Sequence, residues 1–291
     1  MWMELLAIAG GFALLTWSAD RFVTGASGIA FNLKVSPLII GLTIVSLGTS
    51  APEILVSVMA ALQGNAGLAI GNAIGSNIIN TGLILGITAV IVPLSVHSSI
   101  IKRELPVMLL VMVLALLLLL DGTLGRLDGA VLVTGMALML IWVVRLGRRS
   151  QKTGIDPISG EFADEIPTSM PMGRAVFWLI VGGLVLIGSS RMLVWGAVSI
   201  AQSVGVSDLV IGLTIVALGT SLPELAASVM SVFKKEHDIA LGNIIGSNIF
   251  NILAVLGLPG LIDPGPIDTA VLTRDYPMML GLCIMLFVMA Y

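Results

Sequence analysis

The sequence predicts an all-α integral membrane protein that contains two copies of one helical unit. Apolar residues make up 57% of the 291 residues and charged residues 11%, and the mean hydropathy of +1.08 is far above that of a soluble domain. Runs such as 105–120 and 132–144 are long enough, with their flanks, to cross a hydrocarbon core of about 30 Å as helices. Strands of a membrane barrel would alternate apolar and polar residues instead, so this sequence excludes a barrel.

An internal repeat is the second observation behind this fold class. Residues 36–120 align with residues 207–291 at an offset of 171, without an insertion. Self-similarity of this kind indicates repeated structural units and is common in secondary transporters. We predict a first repeat at 1–147, a polar linker at 148–171 and a second repeat at 172–291.

The apolar segments give the elements in order, five before the linker and four after it. The predicted helices are 3–31, 36–62, 66–94, 100–120, 125–146, 174–203, 207–233, 238–262 and 271–291. Five spans in the first repeat reverse the orientation of the second, which predicts an inverted-topology repeat of 5+5 transmembrane helices. Residue 291 aligns with residue 120, so the tenth helix is missing from this chain and nine are expected. The repeat favours a truncated chain over a naturally shorter member.

Basic residues near three helix ends predict the orientation. They are Lys102 and Arg103, Arg145 to Lys152, and Lys234 and Lys235. Alternating spans place all three groups on one side, and short basic loops face the cytoplasm. The N terminus is therefore expected outside and the linker in the cytoplasm.

A glutamate ends the same motif in both copies. "GLTIVSLGTSAPE" at 41–53 ends at Glu53, and "GLTIVALGTSLPE" at 212–224 ends at Glu224. Glycine and proline in each motif predict a broken helix with freed carbonyl oxygens, which a membrane tolerates only inside protein or along a cavity. An unpartnered charge at that depth costs at least about 2.5 kcal/mol, and neither motif holds a basic residue. A bound cation is the favoured partner, and a pair of protonated structural acids is the alternative.

A second repeated motif follows each glutamate, "GNAIGSNIIN" at 71–80 and "GNIIGSNIFN" at 242–251. Its serine and last asparagine are four residues apart and share a helical face. The side chains predicted to surround the cation are Glu53, Glu224, Thr49, Ser50, Thr220, Ser221, Ser76, Asn80, Ser247 and Asn251. Hard cations such as Ca²⁺ prefer an oxygen set of this kind, and softer metals would require thiolate or imidazole ligands.

Other residues of these motifs keep two interpretations open. Gly71, Gly75, Gly242 and Gly246 also fit simple helix packing in a membrane. Asn72, Asn77, Asn243 and Asn248 could cap half-helices or bond across helices, and we leave them out of the predicted ligands.

Together the paired motifs resemble the alpha repeats of the cation/calcium exchanger superfamily, specifically the prokaryotic sodium/calcium exchangers. The resemblance covers the chain except for the last helix. It implies broken helices 2, 3, 7 and 8 around a central ion site, with helices 1 and 6 sliding to alternate access. It implies that Glu53 and Glu224 bind both Ca²⁺ and Na⁺, that Ser50, Ser221, Ser76 and Ser247 add hydroxyls, and that Thr49 and Thr220 add chiefly carbonyls. The carbonyls of Ser46 and Ala217 would complete the Na⁺ positions.

The resemblance also implies the activity, a secondary antiporter that exchanges Na⁺ for Ca²⁺ electrogenically. Asn251 stands where potassium-dependent relatives have aspartate, so K⁺ is not expected to be required. Gly75 and Gly246 stand where proton-coupled members have glutamate, which disfavours the alternative, an H⁺/Ca²⁺ or broader divalent cation antiporter.

The remaining expectations concern partners and location. Ca²⁺ and Na⁺ are expected as transported ions, with no cofactor, no nucleic acid and no obligatory protein partner, in the plasma (inner) membrane of a prokaryote. We do not expect an enzyme, because Ser50 has no histidine or lysine nearby in sequence to activate it.

Overall fold

The computed structural model describes residues 2–35, 37–93, 103–153, 170–205 and 217–290, and these residues are almost entirely helical. The helices are α1 (Trp2–Leu33), α2a (Leu38–Thr49), α2b (Ala51–Leu62), α3 (Ala66–Ile91), α4 (Leu105–Leu119), α5 (Arg126–Thr153), α6 (Met172–Ser203), α7a (Ala217–Thr220), α7b (Leu222–Phe233), α8 (His237–Ile262) and α9 (Val271–Ala290). Two short antiparallel strands, β1 (Thr123–Leu124) and β2 (Gly265–Pro266), pair with each other.

Each apolar segment predicted from the sequence coincides with one helix or, in the second and seventh segments, with a pair of helices separated by a break. Among the described residues, six helices are long and apolar enough to cross a membrane, and the count is seven if the bent pair α2a and α2b is taken as one span. The apolar helices α4 and α7b are shorter. The protein is therefore a multi-pass helical membrane protein.

Several predicted boundaries differ from the structure or lie outside the described residues. Helix α5 continues through Gly147 to Thr153, so the first residues of the predicted linker are helical and a single glycine does not end the helix. Three parts of the chain lie outside the described residues. They are most of the linker (154–169), the loop 94–102 with Lys102, and residues 206–216, which include the start of the seventh predicted segment.

The larger core lies among α3, α4, α5, α8 and α9. Tyr276 and Phe250 are its largest fully buried side chains, and the Tyr276 hydroxyl donates a hydrogen bond to the Met112 carbonyl at 2.6 Å. A polar side chain in an apolar interior requires such a partner. This core joins the end of the second copy to the fourth helix of the first.

The smaller core holds α1 against α6 and packs this pair onto α2a and α7b. The two long helices approach closely at small residues: a Cβ added to Gly182 would lie 2.7 Å from the Phe22 nitrogen. Small residues allow such contacts between membrane helices, where dispersion rather than the hydrophobic effect drives association.

Helix α8 is packed just as closely by α2a. A Cβ on Gly242 would lie 2.8 Å from the Leu38 carbonyl oxygen, and one on Gly246 would lie 2.8 Å from the Leu42 carbonyl oxygen. The packing interpretation therefore holds for these two glycines.

Backbone geometry recurs at the offset of 171. Lys235 has a φ of 63°, and its counterpart Gly64 has 72°. Lys34 has a φ of 52°, and its counterpart Gly205 has 81°. A lysine adopts this left-handed conformation only at a cost, so the conformation at these helix ends is common to both copies even where the residue type is not.

The ends of the bundle can be distinguished by contacts between turns. The strands β1 and β2 join the turn after α4 to the turn after α8. The amide of Asn32, at the end of α1, donates to the Met170 carbonyl, just before α6, at 2.7 Å. These contacts fit helices that alternate in direction.

Candidate ion-binding site

The second and seventh helices each break at a single serine. Ser50 separates α2a from α2b, whose axes differ by 46°, and Ser221 separates α7a from α7b. Their dihedral angles nearly coincide, with φ −81° and ψ 4° at Ser50 and φ −90° and ψ 5° at Ser221. Proline follows two residues later in both copies and cannot donate to the preceding turn.

The breaks place both predicted acids in the first turn of a new helix. Glu53 lies in the first turn of α2b and Glu224 in that of α7b. A helix N terminus carries a partial positive charge, which stabilises a nearby carboxylate. Each acid thus gains local stabilisation without a basic side chain.

The two acids meet through serines of the opposite copy. The Ser50 hydroxyl donates to Glu224 Oε1 at 2.9 Å, and the Ser221 hydroxyl makes a longer contact of 3.4 Å with Glu53 Oε1. Both glutamates are 1% exposed. The Ser50 hydroxyl also lies 3.0 Å from the Ser247 hydroxyl, so α8 joins the same cluster.

Four oxygens of the predicted ligands are buried without a hydrogen-bond partner among the described residues. They are Oε2 of Glu53, Oε2 of Glu224, Oδ1 of Asn80 and Oδ1 of Asn251. An unpaired buried acceptor costs about 1–3 kcal/mol, and more when it is charged. Two carboxylates and two amides form an oxygen set suited to a hard cation.

The third and eighth helices widen at the predicted site instead of breaking. A π-helical segment covers Ile79–Ile84 in α3 and Asn251–Val255 in α8. The Leu256 amide accordingly donates to the Asn251 carbonyl five residues earlier, at 2.9 Å. Such wide turns are frequent at functional sites. The sequence predicted discontinuous helices here, and the discontinuity takes this milder form.

The other predicted residues lie around this cluster. The Thr49 hydroxyl donates to Asn243 Oδ1 at 3.0 Å, and Ser76 is buried one turn before Asn80. Thr220 is partly buried at the end of α7a, where the structure describes only the backbone of Ala217. The Ser46 carbonyl accepts the Ser50 amide at 2.9 Å, so it is already bonded within its helix.

Sequence reasoning left open the role of Asn72 and Asn243, and the structure gives them matching contacts. Asn72 donates to the Glu53 carbonyl at 3.0 Å and to Ser57 at 2.9 Å. Asn243 donates to the Glu224 carbonyl at 3.3 Å and to Ser228 at 3.0 Å. Ser57 and Ser228 are also 171 residues apart, a signal that could have identified these pairs. They tie each acid-bearing helix to the helix after it.

The fold and the cluster together define a polytopic membrane protein in which two buried acids, with hydroxyl and amide side chains around them, lie between two similar halves. Residues 3–145 and 174–291 match the family described as sodium/calcium exchanger protein. The match covers most of the chain, and the chain therefore belongs to this family, among the prokaryotic members of the cation/calcium exchanger superfamily.

Individual relatives agree with this assignment. The inner membrane protein YrbG of Escherichia coli (strain K12) is 47% identical over 93% of this chain and 83% of its own length. The sodium/calcium exchanger MaX1 of Methanosarcina acetivorans is 31% identical over 98% of this chain and 91% of its own length. A solved structure of the sodium-calcium exchanger NCX_Mj matches with a TM-score of 0.84 and 33% identity, over 99% of this chain and 90% of that chain. The chain is thus a cation/Ca²⁺ antiporter of a transporter family, not a family of enzymes. Ca²⁺ and Na⁺ are the ions that this family transports.

Proposed function

We propose that the protein exchanges Na⁺ for Ca²⁺ electrogenically, without K⁺, by alternating access to one site between the two repeats. The observation that carries this proposal is the crossed contact of Glu53 and Glu224 with serines of the opposite copy. Each acid keeps one buried carboxylate oxygen without a hydrogen-bond partner in the described part of the chain. A bound cation would supply the charge and the ligands that this pair lacks.

The two acids couple the ion movements through electrostatics. Their two formal negative charges balance one Ca²⁺, and Na⁺ competes for the same oxygens. An empty site leaves both acids unpaired away from water, so an unloaded protein crosses between its two states at a high cost. If three Na⁺ exchange for one Ca²⁺, one net charge moves per cycle and the membrane potential contributes about 2.3 kcal/mol per 100 mV.

We assign the ligand roles as the sequence predicted them, to the ten side chains and to the carbonyls of Ser46 and Ala217. The roles of the carboxylates and of the Asn80 and Asn251 oxygens are supported by the free acceptors. The Ser46 carbonyl accepts the Ser50 amide at 2.9 Å and lies 3.3 Å from the Thr49 hydroxyl, so its second lone pair is open to an ion when that hydroxyl donates to Asn243 instead.

The space at Gly246 disfavours the H⁺-coupled alternative in the second copy, whereas the equivalent Gly75 has open space among the described residues. A Cβ at Gly246 would lie 2.8 Å from both the Leu42 carbonyl oxygen and the Ser46 Cβ. A glutamate that carries a proton, as in proton-coupled relatives, could therefore enter there only if α2a moved away from α8.

The proposal also includes an inverted-topology repeat of the two halves and an N terminus outside the cell. Matching dihedral angles at Ser50 and Ser221 support a common unit, and the contacts between turns support alternating helices. Lys234 forms an ion pair at 2.6 Å with Asp20 in the C-terminal half of α1, and a basic residue at a short loop supports a cytoplasmic position for that side and an external N terminus. The name of the E. coli relative supports an inner membrane location.

The test is ⁴⁵Ca²⁺ uptake into Na⁺-loaded proteoliposomes that contain the purified chain. We expect uptake to require the outward Na⁺ gradient, to persist when choline replaces K⁺, and to rise when the interior is made positive. Glu53→Gln and Glu224→Gln should each reduce uptake at least about a hundredfold, while Asp121→Asn in an exposed turn serves as the matched control.

Other outcomes would contradict the proposal. Uptake driven equally by a proton gradient would support the H⁺-coupled alternative. Uptake that survives both glutamine substitutions would make the acids structural.

A further inference from the structure

Four buried asparagines near the proposed site form two crossed pairs between the copies. The Asn251 side-chain amide donates to Asn77 Oδ1 at 3.0 Å, and the Asn80 side-chain amide donates to Asn248 Oδ1 at 3.2 Å. Each pair joins α3 to α8. In each pair one asparagine is a predicted ligand and the other is its partner from the opposite copy.

The direction of an asparagine side chain decides whether it can bind a cation. Its amide group presents an oxygen on one side and an NH₂ donor on the other, and only the oxygen attracts a positive ion. The two ends have nearly the same shape, so packing alone does not choose between them, and the hydrogen-bond network does. A cation site with asparagine ligands therefore needs neighbours that accept the NH₂ group.

Backbone contacts settle the direction of Asn77 and, through it, that of Asn251. The Asn77 Nδ2 atom lies 3.1 Å from the backbone carbonyl oxygen of Asn248. A carbonyl can only accept, so Asn77 must present its NH₂ there and its oxygen to Asn251. Asn251 must then donate its own NH₂ to Asn77, and its oxygen is buried with no hydrogen-bond partner among the residues that the structure describes.

The second pair is held less strictly. Asn248 Nδ2 donates to the Thr81 hydroxyl at 2.8 Å, and a hydroxyl can donate as well as accept. The direction of Asn248, and hence that of Asn80, can therefore reverse if the Thr81 hydroxyl rotates. The two pairs should differ in how much each contributes to ion binding.

From this network we infer that Asn77 and Asn248 are positioning residues that direct the amide oxygens of Asn251 and Asn80 toward the transported cation. Each acts on the ligand of the opposite repeat. The inference rests on the proposed function, because it assigns what the two partners do for the same ion site. This role also explains why "GSN" precedes each ligand asparagine. The asparagine of each triplet bonds the ligand asparagine of the other copy and directs its amide oxygen.

A double-mutant cycle on Ca²⁺ binding tests the inference. The Kd for Ca²⁺ is measured by titration calorimetry on purified wild-type protein and on Asn77→Leu, Asn251→Ala and the double variant. Leucine has the same branched side-chain shape as asparagine but neither donates nor accepts a hydrogen bond, so Asn77→Leu should raise the Kd about tenfold. In the Asn251→Ala background the same substitution should raise the Kd less than about twofold, because its effect passes through Asn251.

The corresponding cycle with Asn248→Leu and Asn80→Ala gives a second measurement. This cycle tests the positioning role if Asn77→Leu does not fold. Asn248→Leu should raise the Kd about threefold, a smaller effect than at Asn77, and the effect should again vanish in the Asn80→Ala background. Equal fold-changes in the presence and absence of the ligand asparagine would mean a merely structural role and would overturn the inference.

A further comparison separates this inference from the proposed function. If wild-type protein binds Ca²⁺ and Glu53→Gln does not, the site stands, and the cycles alone judge the positioning role. If wild-type protein binds no Ca²⁺, the proposed function fails first.

Discussion

Helices α3 and α8 carry the same motif but occupy different surroundings. In α8 every residue of an apolar 18-residue stretch is buried. In α3 only 44% of the residues in such a stretch are buried. Gly257 of α8 packs against Leu132 of α5, where an added Cβ would lie 2.9 Å from the Leu132 Cβ. Its counterpart in α3, Gly86, has open space among the described residues. The motif therefore does not determine how deeply its helix is enclosed.

The polar faces of the same two helices nevertheless agree in detail. Asn72 and Asn243 each donate to the backbone carbonyl of the glutamate in the same copy. Each also donates to a serine of the helix that carries this glutamate. Both π-helical segments begin at or beside the ligand asparagine. The comparison teaches that the ion-facing side of each helix is defined by its own motif, whereas the opposite side depends on its neighbours.

The largest effect on stability is expected where α8 meets α2a. Gly246→Ala would push a methyl group to 2.8 Å from the Leu42 carbonyl oxygen, and overpacking against backbone costs about 3 kcal/mol. Gly281→Ala in α9, where the added group meets open space, is the matched control. Thermal unfolding in detergent should show a clear loss for the first variant and none for the second. Equal melting temperatures would mean that the two helices can separate easily.

A smaller effect should distinguish the two bridging asparagines. Asn243 is fully buried and also accepts the Thr49 hydroxyl, whereas Asn72 is partly buried. Because removal leaves buried groups unpaired, Asn243→Ala should cost about 2–3 kcal/mol and Asn72→Ala about 1 kcal/mol. Chemical unfolding of both variants checks this order. A reversed order would mean that the matching polar faces differ in energy in a way that the geometry does not reveal.

The smallest effect concerns the apolar faces. Gly257→Ala should destabilise the protein by about 1–2 kcal/mol, because its methyl group meets Leu132. Gly86→Ala should leave stability unchanged or raise it by up to about 1 kcal/mol, since the added group meets open space among the described residues and alanine favours a helix over glycine. The difference between the two melting temperatures measures how strongly α5 encloses α8. Equal losses would show that α3 is as tightly covered as α8.

Much of this architecture can be read from the sequence, because its signals are local. Apolar runs predict the helices, and proline after "GTS" predicts the interruptions that the structure places at Ser50 and Ser221. The repeat predicts which residues correspond, and the absence of a basic residue near Glu53 and Glu224 indicates an unusual pair of acids. The binding roles of the ligands stay predictions that the uptake experiment will test.

Other features depend on tertiary packing and could not be predicted. The sequence does not show that Ser50 bonds Glu224 instead of Glu53, or that Asn77 serves Asn251 instead of Asn80. It also predicted breaks in α3 and α8, where the structure has widened turns.

The sequence by itself determined the class of protein, the two copies and the acids at their centre, because hydropathy and helix propensity act over a few neighbouring residues. Only the tertiary structure decided that the serine of each copy bonds the glutamate of the other copy, and that α8 is more deeply enclosed than α3. These features depend on hydrogen bonds and close contacts between residues about 170 positions apart, and such contacts exist only once the helices have packed.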